Sequence, residues 1–126
     1  MIEKGTSNGA YLAKGTIGNV GTPGSAIVHF QLVVVPAEHS VSGMVHVTQA
    51  SEGVSYTGHV TGKIYVAGLG KITQVVGLTG HIRPDQGTVP IEIPFQATMG
   101  IDDSWRGTGG FSYASTHVED APVKSS

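Results

Sequence analysis

Apolar and polar residues alternate through most of the chain. In "AIVHFQLVVV", residues 26–35, Val28, Phe30, Leu32 and Val34 share one parity while His29 and Gln31 take the other, the period of a strand with one buried face. Val33 and Val35 make the far end apolar on both faces, so this run is expected to be a central, well-covered strand ended by Pro36. "VSGMVHVTQ" points Val41, Val45 and Val47 inward and Ser42, His46 and Thr48 outward. "VSYTGHVTG" points Val54, Tyr56 and Val60 inward and Ser55, Thr57, His59 and Thr61 outward. Similar runs, "AYLAKGTIG", "ITQVVGLTGHI", "TVPIEIPFQATM" and "WRGTGGFSYA", are separated by a join at residues 68–70 and by the turn signals "RPDQG" and "GIDDS". No helical period competes. The pattern predicts about eight short strands in one all-β domain over residues 10–114, an antiparallel β-sandwich or a flattened, open β-barrel. Residues 1–9 and 115–126, polar and short of apolar residues, read as flexible ends.

One spelling recurs in these strands: Ser42-Gly43, Thr57-Gly58, Thr61-Gly62, Thr79-Gly80 and Thr108-Gly109. An outward Thr suits a pleated surface, and an inward Gly marks a bend, a bulge or the close approach of a bulky neighbour. The uneven spacing excludes a tandem repeat. Pro90 and Pro94 share one parity and would remove two ladder donors from one side of a strand, which predicts that residues 90–99 form a sheet edge or flank a gap in a barrel.

Composition agrees with this class. The 126 residues include 19 glycines, and charged residues are only 13% of the chain, so one core held by packing is expected. The formal charge of −2, spread over both signs, argues against nucleic acid or anionic lipid as a partner. With no cysteine there is neither a disulfide framework nor a thiolate metal site. No segment approaches a membrane span and the start lacks a signal-peptide core, so the expected location is cytoplasmic by default, with non-classical export also open.

Six histidines stand out in a chain so poor in charge. If Glu52-Gly53 were a two-residue turn, Ser51 would pair with Val54 and His46 would lie opposite His59 on the outward face, with His81 on the same type of face. Such a set suits Zn²⁺ or Cu²⁺. The plainer reading, preferred here, is that these histidines are wet-face residues like the Thr, Ser and Gln around them, since no short ligand-rich motif supports a metal. Asp102-Asp103 and Glu92 offer carboxylates for Ca²⁺ or acid–base chemistry, but acidic residues before a strand are ordinary turn chemistry. There is no Gly-X-Ser-X-Gly elbow, and "GNVGTPG" carries no Lys and opens no helix, so neither a serine nucleophile nor a phosphate loop is indicated. Trp105, Phe111 and Tyr113 share a parity and read as core rather than as the lining of a pocket.

The block "YLAKGTIGNVGTPGSAIVHFQLVVVPAEHSVSGMVHVTQA" resembles the opening of a bacterial family, domain of unknown function 1842, through the order Gly-Thr-Pro-Gly, apolar strand, Ser-Gly-X-Val strand. The resemblance implies a bacterial source and a small β domain, and implies no activity, cofactor or site residue. The functional expectation is therefore a non-catalytic interaction or ligand-binding module whose partner is a protein or small molecule. The alternative is a small barrel-type enzyme or a His-based metal-binding protein.

Overall fold

The structure, a computed structural model, describes residues 2–4, 9–49, 53–86 and 91–126. Among these residues nine strands run in chain order: β1 (Ile2–Lys4), β2 (Tyr11–Ile17), β3 (Ala26–Val35), β4 (Ser40–Gln49), β5 (Val54–Leu69), β6 (Ile72–Pro84), β7 (Ile93–Ile101), β8 (Gly107–Tyr113) and β9 (Thr116–Ser125). A single 3-10 turn, Pro36–Glu38, joins β3 to β4. Each strand pairs antiparallel with the next, and β9 returns to β2, so β2 to β9 form a closed eight-stranded up-and-down barrel. β1 adds to β2 at Tyr11 to Ala13, beyond the stretch that β9 occupies.

Strict alternation fills this barrel. The inward parity of β3 (Val28, Phe30, Leu32, Val34) and of β4 (Val41, Val45, Val47) is buried as expected. So is that of β7, with Phe95, Ala97, Met99 and Ile101. Among the described residues no polar or charged residue is buried. The inward glycines of the Thr-Gly pairs meet large residues on the neighbouring strands: Gly43 pairs with Leu32, Gly62 with Leu78 and Gly80 with Phe95. At Gly43 a Cβ would stand 2.0 Å from the Gln31 carbonyl oxygen, and at Gly58 it would stand 2.0 Å from that of His81. The wall curves sharply there, and only a residue without a side chain fits the inside of the bend.

Aromatic groups occupy both ends. Trp105, in the turn between β7 and β8, is fully buried with a left-handed φ of 59°. Its indole N–H donates to the Tyr11 hydroxyl at 3.1 Å, and its ring lies 5.7 Å from that of Phe30. The Asp102 carboxylate accepts the backbone N–H groups of Ser104 and Arg106 and so holds the turn that aims the indole inward. At the other end Tyr113 donates its hydroxyl to Gln49 at 3.0 Å and packs 5.4 Å from Tyr56. Trp105 is thus core, as its apolar bulk suggests, although a turn rather than strand parity carries it inward.

Four expectations change. Residues 115–126 do not form a tail: β9 pairs with β8 along Thr116 to Val123 and with β2 at Val123 to Ser125. The segment looks polar because half of it faces outward and a bulge opposite Gly110 interrupts its period, while Ala121 and Val123 are buried. At the other terminus Ile2–Lys4 is paired as β1 rather than free. β7 is not an edge, since it is laddered to β6 from Ile93 to Ile101 and to β8 from Phe95 to Ile101. Pro94 is accommodated one residue before the first β7–β8 pair, and Pro90 lies outside the described residues. Finally, Val33 is 42% exposed: the outer wall of a barrel has no second layer to cover it.

Two measurements check this packing. Phe30→Ala, which empties the centre of the lumen beside Gly15 and Trp105, is expected to cost about 3–5 kcal/mol in urea denaturation. A chain ending at Ala114 loses the strand that closes the barrel and leaves β2 and β8 as open edges, so its cooperative thermal transition by circular dichroism should vanish.

Candidate functional site

Among the described residues the buried positions are apolar, so the polar and titratable side chains lie on the outer wall. The outward parity of β3 to β6 carries His29, Gln31, Met44, His46, Thr57, His59, Thr61, Thr79 and His81. The register orders them: His29 lies directly opposite His46, and His59 directly opposite His81.

This differs from the sequence-based pairing. Gln49 pairs with Val54, so the β4–β5 connection spans residues 50–53 rather than the two residues Glu52-Gly53; residues 50–52 lie outside the described residues. The register is displaced by two, which preserves the facing of every side chain and changes its opposite number: His46 meets Thr57 and His59 meets Met44. The partner of His46 is His29, which sequence reasoning passed over. Its signal was the Pro36 to His39 connection, whose closing pair Val35–Ser40 dictates that His29 faces His46.

The two imidazoles have ring centroids 6.0 Å apart and planes inclined by 35°. Burial, and then the charge of His46, hold the His29 pKa below the ordinary imidazole value. On its other side His46 Nε2 stands 3.2 Å from Asp85 Oδ2, reaching over Thr57 from β4 to the end of β6. The same carboxylate oxygen accepts the Ser55 hydroxyl at 2.6 Å, and the Asp85 N–H donates to the Ser55 carbonyl at 3.0 Å. Burial pushes the Asp85 carboxyl up, but hydrogen bonds from Ser55 and Thr57, with the charge and hydrogen bond of His46, outweigh it and leave the pKa below the usual aspartate value. Protonating Asp85 in acid therefore works against this cluster: its contribution is present above the unfolded-state pKa and is lost as pH falls through the folded one.

His29, Gln31, Met44, His46 and Thr57 line a shallow hollow of about 330 Å³, to which Lys14 also contributes. A second hollow, about 460 Å³, is lined by His59, Thr61, Thr79, His81, Arg83 and Glu92. There the Arg83 guanidinium pairs with Glu92 and holds its carboxyl below the usual glutamate value. On the far side of the barrel His117 Nε2 pairs with Glu119 at 2.8 Å beside the β9 bulge.

The remaining candidate residues are dispersed. Asp102 caps its own turn, Asp103 accepts the Thr73 hydroxyl at 2.9 Å, and Glu92 belongs to Arg83, so these three do not form an acid–base group. Ser55 has a carboxylate and not an imidazole beside its hydroxyl, which leaves its proton without a base of the kind that activates a serine. Among the described residues no three His, Asp or Glu side chains are gathered in one coordination sphere, and no helix is long and apolar enough to cross a membrane.

No curated protein matches this sequence. A family model does match, over residues 8–118, from just before β2 into β9; its description is Domain of unknown function (DUF1842), and the chain belongs to that family.

Proposed function

We propose that this protein, bacterial as the resemblance of its first half implies, is a non-catalytic binding module that engages its ligand or partner on the outer wall of β3 to β6. The observation that carries this reading is the contrast between the two surfaces of the barrel. The lumen is apolar and occupied along its length, with Trp105 and Tyr11 at one end and Tyr56 and Tyr113 at the other. The outer wall instead presents histidine, threonine and glutamine donors and acceptors over two adjoining hollows, together with Lys14 and the mutually paired Arg83 and Glu92. Small barrels that carry a ligand internally keep space for it. Here the inward positions go to Phe30, Leu32, Leu78, Met99 and Trp105. The wall suits a partner recognised by hydrogen bonding over a broad, shallow area rather than by charge.

The alternative, a small barrel enzyme with a cavity at its mouth, has less support: Ser55, Asp102, Asp103 and Glu92 are each engaged in pairs that hold turns or strand ends in place. Trp105 provides a native reporter that separates the two. Oleate, a probe for an apolar lumen, should leave its emission unchanged up to the solubility of the lipid. Saturable quenching or a spectral shift at stoichiometric oleate would overturn binding at the outer wall and place the ligand inside.

A further inference from the structure

The pairing of His29 with His46 has the dimensions of a metal chelate. Two imidazoles on one tetrahedral ion, with metal–nitrogen bonds of about 2.0–2.1 Å, have ring centroids roughly 5 Å apart. The observed 6.0 Å lies within a small side-chain turn of that span. The backbone supplies the rigidity, because the two residues are a directly opposed pair in an uninterrupted ladder from Val35–Ser40 to Ala26–Gln49. Chelating histidines commonly use the second ring nitrogen to hold a carboxylate, which fixes the tautomer and raises the basicity of the ligating nitrogen. His46 has such a partner, with Asp85 Oδ2 at 3.2 Å from Nε2 and that oxygen itself steadied by Ser55. With Nε2 engaged by Asp85, Nδ1 of His46 is the ring nitrogen left for an ion. Lys14 lines the same hollow, so the negative charge of Asp85 also serves as the counter-charge that a dication needs beside a cationic neighbour.

The His59–His81 pair is opposed in the same way but lacks this support. The acidic group in its hollow, Glu92, is engaged by Arg83, whose cation lines the same hollow.

We propose that His29 and His46 together chelate one borderline divalent transition-metal ion of the Zn²⁺ or Ni²⁺ type, with water in its remaining positions and Asp85 holding His46 from outside the coordination sphere. Imidazole nitrogen is a suitable donor for these ions and a poor one for Ca²⁺ or Mg²⁺, so hard cations should not compete. Metal binding by this pair does not require the outer wall to bind anything else.

The test is calorimetric titration of the tag-free full chain with Zn²⁺, repeated with Ni²⁺, near neutral pH. One equivalent should bind, and excess Mg²⁺ should not displace it. His29→Gln and His46→Gln should each weaken binding by at least about tenfold, and Asp85→Asn by about 10-fold or more, in the range seen for outer carboxylates. His59→Gln and His81→Gln should change it by less than about twofold. Each variant is checked for a parent-like thermal transition without metal, and if either single variant fails that check the other carries the test. Absence of binding by the parent overturns the proposal, as does binding that survives loss of His29 and His46 or that depends instead on His59 and His81. An unchanged affinity in Asp85→Asn would overturn the role given to the carboxylate.

Discussion

The barrel depends on one junction, the pairing of β2 with β9. Three registered pairs, Gly15–Ser125, Thr16–Lys124 and Ile17–Val123, join the last strand to the first strand of the wall. Two flanking bonds extend it: the Gly18 N–H donates to the Pro122 carbonyl, and the Ser126 N–H donates to the Lys14 carbonyl. Without this junction eight strands would form an open meander with two long edges, and the apolar side of the sheet would have nothing to pack against. With it, the sheet becomes its own second layer. Phe30 on β3 can then reach Trp105 from the β7–β8 turn, and Tyr11 can meet the same indole from β2.

Closure at eight strands also explains the glycines. An eight-stranded barrel has a lumen just wide enough for side chains to fill, and it curves most tightly where strands coil past one another. Inward glycines at positions 43, 58, 62 and 80 relieve crowding at those points and leave the volume to neighbouring Leu, Val and Phe side chains. The outward Ser or Thr before each glycine keeps the wall polar. The repeated Thr-Gly unit is a consequence of curvature, and its copies at His59 and His81 share an outer face because the strands carrying them are neighbours.

An occupied lumen directs attention to the outer surface. There a cluster spanning four neighbouring strands runs from His29 through His46 to Asp85 and Ser55. It joins β3, β4, the start of β5 and the end of β6, so it both ties the wall together and concentrates its titratable groups. Membership of a family without an assigned function leaves the arrangement of these side chains as the ground for the functional reading.

Strand identity and facing were legible in the sequence because they are local: period-two alternation records which side of each strand meets the apolar interior, and a displacement of two residues leaves that record intact. Hence the inward parity of β3, β4 and β7 was readable, and so was the outward facing of His46, His59 and His81. Register, closure and coverage were not, because each depends on contacts between residues far apart in the chain. The β4–β5 connection is longer than Glu52-Gly53 alone, and that difference exchanged His59 for Thr57 opposite His46. β9 read as a tail because a bulge breaks its alternation, and only its two neighbouring strands show what its few apolar residues bury. Trp105 owes its place to a capped turn with a left-handed backbone. The sequence by itself determined an all-β chain with one apolar and one polar side to its strands; the tertiary structure decided that the apolar side closes on itself, because burying it required the last strand to hydrogen-bond to the second.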